Sequence, residues 1–186
     1  MKRASGLLLP VTSIPSKYGI GSFGSSAYEF IDFLKQTKQT VWQVLPLNPT
    51  SIGDSPYQSP CSNAGNPYFI DLDILYEEGL IKIEELENSI NDSHTIDYGA
   101  LFNTRYKLFK KAFVRFNKTN AYKEFIEKNK EWLLDYSLFM VLKLKHNYSE
   151  WTSWEKDFKD YDKAKKLMPI FMSDMEYWMF IQFKFY

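Results

Sequence analysis

One cysteine, Cys61, stands in a chain of 186 residues. That excludes an intrachain disulfide framework, and one thiol cannot make a thiolate metal site. Charge of one sign is also missing: 23 basic and 23 acidic side chains cancel. No electrostatic footprint for nucleic acid or an anionic membrane follows from such a balance. No apolar run reaches the ~20 residues of a membrane-spanning helix. Leu7 to Leu9 meets Pro10 too soon to be the core of a signal peptide. The chain therefore reads as cytoplasmic, with no membrane and no nucleic-acid partner, and the N-x-S/T triplets at Asn91, Asn117 and Asn147 carry no meaning. The only two histidines, His94 and His146, lie far apart without ligand partners at metal spacing, so both are expected at the surface. No metal and no cofactor are expected. What the chain has in surplus is aromatic residues, 18% of the total, with 15 Phe, 13 Tyr and 5 Trp. Most should fill cores, but a surplus is also what a sugar-binding cleft uses.

Glycine and proline are not missing but unevenly spread. Up to about Asp73 the chain is rich in Gly, Pro, Ser and short apolar runs, the texture of strands joined by shaped loops. From Ile74 onward they nearly vanish and 3.6-residue periodicity takes over. Gly6 to Leu9 reads as a short, fully buried strand. Ser26, with Glu29 three residues on, reads as a capping box opening a helix to about Thr37, with Ala27, Phe30, Ile31 and Leu34 on one face. Thr40 to Leu45 is a second strand, stopped by Pro46. Strand, helix, strand over some forty residues is a βαβ unit and implies a parallel sheet. A long loop holding Pro49, Pro56, Pro60 and Pro67 follows, of a length that usually signals function, and Tyr68 to Leu72 reads as a short strand. Helices are expected over Tyr98–Phe116 and Phe125–Leu144, the second with a break near Asn129. A link carrying Trp151 and Trp154 leads to a last helix from about Ser173. That helix, "MEYWMFIQFKFY", is apolar, has no C-terminal cap and nothing after it to cover it. The expectation is a chain truncated relative to a larger protein.

Gly19, Gly21 and Gly24 spell G-x-G-x-x-G, the pattern of dinucleotide-binding loops. Such a loop needs a strand running directly into the first glycine and an acid about twenty residues on. Here eight residues, Pro15 among them, separate Pro10 from Gly19, and the second strand ends Val44-Leu45-Pro46 with no acid before Asp54. Both contexts fail. The glycines are instead expected to permit positive φ and close backbone approach in a βα loop.

Arg3 to Leu9, "YGIGSFG", "VWQVLPLNPT" and above all "GDSPYQSPCSNAGNPYFIDL" occur in that order. With these motifs the chain resembles the amylomaltases, the 4-α-glucanotransferases or disproportionating enzymes of glycoside hydrolase family 77. The resemblance is near-continuous over residues 3–75 and looser through "EEGLI", "IDYGALFNTRYKLFKKAF" and "WLLDYSLFMVLK". It implies an α/β fold: the N-terminal part of a TIM (β/α)₈ barrel with a largely helical inserted subdomain, the barrel incomplete here. Residues 1–73 would be the first βαβ unit with its cleft loop, 74–172 the helical insertion, and 173–186 the start of a barrel helix.

The implied activity is transfer of α-1,4-glucan segments between maltooligosaccharides by a retaining double displacement. One carboxylate attacks the anomeric carbon and another, about 5–5.5 Å away, protonates the leaving oxygen. The motifs that carry those carboxylates in the family cannot be found in this chain, so it is expected to hold no catalytic residue and to be inactive alone. Its implied partners are an α-1,4-glucan and the missing C-terminal remainder of the barrel. The competing reading is a non-catalytic glucan-binding or assembly piece. Among binding residues, the resemblance makes Tyr57 the aromatic that stacks on the sugar beside the scissile bond. Asp54, Ser55 and Gln58 would be its polar neighbours, with an Asx-type turn ahead of Pro56 as the other role open to Asp54. Ile52 departs from relatives that carry an aromatic of a secondary glucan site there. Glu84, Glu85 and Glu87 read as a solvated helix face, and Trp151 and Trp154 as structural packing.

Overall fold

The computed structural model describes residues 3–51, 53–91, 93 and 95–186, so Ile52 and His94 lie outside the described residues. The chain begins with strand β1 (Gly6–Leu8), helix α1 (Ser25–Gln36) and strand β2 (Val41–Gln43). The two strands pair in parallel, with Gly6 opposite Val41 and Leu8 opposite Gln43, so the βαβ unit forms as the sequence predicts. The indole N–H of Trp42 extends the tie by donating to the Leu9 carbonyl at 2.8 Å.

Four local expectations need correction here. β1 is not buried: Leu7 is 40% and Leu8 56% exposed, because among the described residues the sheet has only two strands and one ladder. Ser26 does not cap α1; Gly24 holds the N-cap position with no side-chain cap bond, and no capping box forms. The anion at that helix end comes from a distant residue: a Cβ on Gly24 would lie 2.0 Å from Asp71 Oδ2. A carboxylate there faces the positive end of the helix dipole. Of the apolar face expected on α1, Ala27 and Leu34 are buried and Phe30 is half-buried, but Ile31 is 46% exposed. Tyr68 to Leu72 is no strand either. Asn66 accepts from the Tyr68 N–H at 3.0 Å and starts a 3₁₀ turn over Pro67–Phe69. Asp71 then caps helix α2 (Leu72–Glu77) by accepting from the Ile74 N–H at 3.2 Å. Two side-chain caps five residues apart leave no room for an extended run.

Helix α3 (Ile83–Glu87) and helix α4 (Tyr98–Arg115) complete a first compact unit, which runs to Phe116 and includes Phe185. Its core gathers Val11, Ile14 and Ile20 from the first loop, Ala27 from α1, Tyr68 and Phe69, and Leu101 from α4. Gly19 in that loop has φ +79°, a conformation L side chains rarely adopt.

The second unit runs from Asn117 to Lys184 with Tyr186. Helix α5 (Asn120–Lys145) is continuous, and the expected break at Asn129 is absent. The Asn129 side chain donates to the Phe125 carbonyl at 2.8 Å, along the helix rather than against it. Short helices α6 (Lys156–Lys159) and α7 (Tyr161–Lys166) follow, then α8 (Met168–Phe185), which starts five residues earlier than predicted with Pro169 in its first turn. A proline fits there because the first-turn N–H groups have no helical partner.

α8 is also not uncovered. Met175, Trp178, Met179, Phe180 and Ile181 are each 2% exposed or less. The Tyr122 ring of α5 meets Phe183 edge-on at 5.3 Å, and the Tyr122 hydroxyl donates to the Glu176 carbonyl at 3.3 Å. Among the described residues, no helix is long and apolar enough to cross a membrane.

Candidate functional site: the loop after the second strand

The segment between β2 and the 3₁₀ turn at Pro67 has no helix or strand among its described residues, yet its two ends are tied together. The Asn66 N–H donates to the Leu47 carbonyl at 2.8 Å. Beside that bond, the Asn48 amide donates from Nδ2 to the Ser62 and Ala64 carbonyls at 2.8 and 2.9 Å. From Ala64 to Leu72 the chain is buried, whereas Ser51 to Asn63 is exposed or half-exposed wherever described. A loop with an anchored base and a solvated crown results.

Asp54, Ser55, Tyr57 and Gln58 sit together in that crown. Gly53 and Asp54 are consecutive left-handed residues, at φ +82° and +53°. For a non-glycine residue such a conformation costs of order 1 kcal/mol and persists only where surroundings hold it. The Asp54 N–H donates to the Ser51 carbonyl at 3.2 Å. The turn ahead of Pro56 does not use the Asp54 carboxylate. Ser55 makes it, its Oγ accepting from the Tyr57 N–H at 3.3 Å and its carbonyl from the Gln58 N–H at 3.1 Å. Pro56 thereby takes the second position of a four-residue turn, which suits its fixed φ. Tyr57 occupies the third position and is 74% exposed. An aromatic ring held out from a short turn, with a carboxylate and an amide nearby in the chain, is a group that can lie against an apolar ligand face while polar neighbours offer hydrogen bonds. The residue missed by sequence reading is Asn48, whose partners lie 14 and 16 positions away and are backbone carbonyls. No side-chain pattern marks such partners.

A second concavity, of about 400 Å³, lies between the glycine loop and Asp71–Asp73. Its two aspartates are paired with neighbouring polar groups. The Ser22 hydroxyl donates to Asp71 Oδ2 at 2.6 Å, the Tyr18 hydroxyl donates to Asp73 Oδ1 at 2.5 Å, and Lys17 Nζ stands 3.1 Å from the same oxygen. Burial, reinforced by the bond to Asp73, pushes the Tyr18 phenol up to about 12. From the other side the buried Arg105 guanidinium donates to the Tyr18 carbonyl at 3.0 Å, and burial lowers its pKa to about 10. These contacts set the shape of the glycine loop and leave Asp71 and Asp73 engaged as structural groups.

Three further side chains differ from expectation. Glu85 is not solvated; its side chain is 14% exposed and bridges to Arg115 and Lys111. Hydrogen bonding from Arg115, above all, holds its carboxyl at about 2. His146 is not a surface residue in the sense expected, its side chain being 13% exposed. Its ring stacks on Trp154 at 4.8 Å, with Nδ1 2.7 Å from the Leu142 carbonyl and Nε2 2.5 Å from Glu155. Trp154 is buried, but Trp151 is 54% exposed, so only the first packs as expected.

The chain is similar to known proteins. A family model described as 4-alpha-glucanotransferase matches residues 9–186. A 4-alpha-glucanotransferase of Clostridium butyricum is 48% identical over 182 residues, covering 95% of this chain and 37% of that protein. One of Thermus thermophilus is 43% identical over 160 residues, covering 83% of this chain and 31% of its own length. Among solved structures, the amylomaltase from Streptococcus agalactiae in complex with acarbose superposes with a TM-score of 0.89 at 35% identity. That match covers 100% of this chain and 39% of the other. The chain thus spans about a third of the length of the proteins it matches.

Proposed function

We propose that this chain, which belongs to the 4-alpha-glucanotransferase family, supplies the first wall of an α-1,4-glucan cleft in an enzyme that transfers glucan segments by a retaining double displacement. The observation that carries the reading is the exposed Tyr57 ring, held out on a turn whose polar atoms are engaged locally while the Asp54 and Gln58 side chains stay exposed. In the reaction one carboxylate attacks the anomeric carbon and a second protonates the departing oxygen; a sugar hydroxyl then displaces the enzyme. Tyr57 would stack on the sugar beside the scissile bond, and Asp54, Ser55 and Gln58 would orient its hydroxyls. The two displacing carboxylates are assigned to the part of the protein outside these residues. Asp71, Asp73 and Glu85 are engaged in structural bonds, which supports that assignment.

The parallel β1–β2 pair is read as the opening of a (β/α)₈ barrel. Active sites in such barrels form from loops at the C-terminal strand ends, and both the glycine loop and the Tyr57 loop leave such ends. The exposed Leu7, Leu8 and Val41 on the two strands are what further strands and helices would cover. On this reading 1–73 is the barrel's first βαβ unit, 74–172 a helical insertion and 173–186 part of a barrel helix. A cytoplasmic setting fits the free thiol of Cys61.

The test is a titration of the 186-residue chain with maltoheptaose, read by amide NMR shifts, with maltotriose disproportionation assayed in parallel. Saturable shifts at Ser55 to Gln58, lost in Tyr57→Ala, and no disproportionation are expected. Shifts unchanged by Tyr57→Ala would overturn the role given to Tyr57. Turnover by the chain alone would overturn the placement of the carboxylates.

A further inference from the structure

Among its described residues, the Tyr57 loop is tied to the rest of the chain by few hydrogen bonds. Among the described residues, the hydrogen bonds of residues 49–62 run within that segment or to Asn48. Those within it are short-range: Asp54 to Ser51, Gln58 and Tyr57 to Ser55, and Cys61 with Ser59. Such turns shape the crown locally but cannot say where it stands relative to the buried chain at Ala64. The Leu47–Asn66 bond closes the base, and a single closure leaves a flexible loop free to pivot.

Asn48 removes that freedom. One planar amide nitrogen donates to both the Ser62 and the Ala64 carbonyls. Two carbonyls two positions apart, bound by one rigid group, fix an orientation as well as a distance. Ala64 is 1% exposed and belongs to the buried stretch, whereas Ser62 is exposed. The amide thus carries the order of the core out to the end of the crown. Since both partners are acceptors, the chemistry requires an NH₂ donor here, and a carboxylate of the same shape would repel both.

We infer that Asn48 is the positioning residue of the glucan cleft: its amide sets where the Tyr57 ring stands, without itself touching the sugar. This rests on the glucan-binding reading of Tyr57 above and adds the group that places it. Loop ordering then enters affinity directly, because an unclipped loop must lose its freedom on binding.

The experiment compares wild type, Asn48→Asp, Asn48→Ala and Tyr57→Ala in the maltoheptaose titration, with amide exchange and thermal melting measured on each. Asn48→Asp is nearly isosteric, and at neutral pH its side chain carries a charge and no donor. Asn48→Ala removes the donors without adding charge. Both are expected to speed exchange at the Gln58 and Asp54 amides at least fivefold and to weaken maltoheptaose at least fivefold. Both should melt within about 2 °C of wild type. Unchanged affinity in either Asn48 variant overturns the inference, as does a fall in melting temperature that accounts for the lost affinity. If wild type gives no saturable shifts, or Tyr57→Ala binds as well as wild type, the glucan-binding reading itself fails and takes the inference with it. Weak binding by Tyr57→Ala together with normal binding by both Asn48 variants overturns the positioning role alone.

Discussion

Replacing Glu85 by glutamine should remove a pH-dependent part of the first unit's stability. The Glu85 carboxylate accepts from the Lys82 N–H at 2.9 Å, from Arg115 Nη1 and Nη2 at 2.5 and 3.0 Å, and lies 3.1 Å from Lys111 Nζ. It joins the first turn of α3 to the last turn of α4, and Arg115 also donates to the Leu80 carbonyl at 3.1 Å. Its carboxyl is lowered from an ordinary 4.5 to about 2. At about 1.4 kcal/mol per pH unit, the difference bounds the contribution at about 3 kcal/mol. Because Lys111 is 57% and Arg115 29% exposed, solvent screening reduces the expected effect to about 1–2 kcal/mol. The sign follows from the depressed value: the stabilisation is complete above the unfolded carboxyl's pKa and is lost as pH falls from about 5 toward 2. Hydrogen exchange of α3 and α4 amides, measured in wild type and Glu85→Gln from about pH 7 to about pH 2.5, reads the gap between them. A gap of about 1–2 kcal/mol at neutral pH that closes at the acid end is expected. A gap absent at neutral pH, or one that persists undiminished at the acid end, would refute the argument.

Four further substitutions, in two pairs, test the corrected readings. Gly24→Ala sets a methyl 2.0 Å from Asp71 Oδ2 and must displace a carboxylate that serves both Ser22 and the α2 cap; a loss of about 2–4 kcal/mol is expected by chemical denaturation. Ser26→Ala, at the position the sequence marks as the cap, should stay within about 0.5 kcal/mol of wild type. In the second unit, Trp154→Ala removes a buried ring stacked on His146 and beside Phe139 and should cost about 3–5 kcal/mol, whereas Trp151→Ala, at 54% exposure, should stay within about 0.5 kcal/mol in the same unfolding measurement.

The parts of the fold legible in the sequence are those whose signal is local and repeated. α4 and α5 carry apolar residues at three- and four-residue spacing over many turns; the predicted span of α4 lies within one residue of that observed, while α5 starts five residues earlier than predicted and runs unbroken. The βαβ start is legible because short apolar runs end at prolines on either side of an amphipathic helix. Where the sequence misleads, a distant group has replaced the local one. Ser26 offers a cap, but the carboxylate at that helix end is Asp71, about 45 positions on. Tyr68 to Leu72 has the composition of a strand, but caps at Asn66 and Asp71 turn it into a 3₁₀ turn and a helix start. The last helix, expected from about Ser173, starts at Met168 with Pro169 in its first turn. The apolar final helix reads as uncovered only because its cover, α5, precedes it in the chain.

The candidate site divides along the same line. Its candidate residues are reachable only through the D-S-P-Y-Q run, which carries the resemblance to the amylomaltases and survives in a string of letters. Their placement does not. The turn belongs to Ser55 rather than Asp54 because the choice between two adjacent side-chain oxygens depends on backbone dihedrals, and Asp54 lies at φ +53°. Asn48 hides more completely, since its two bonds end on the carbonyls of Ser62 and Ala64, groups that every residue possesses. On the proposed reading, the group that would touch the ligand is visible in the sequence and the group that would aim it is not. For this chain the two can be separated by experiment, because the ring of Tyr57 is exposed while the amide of Asn48 is bound at the loop's base.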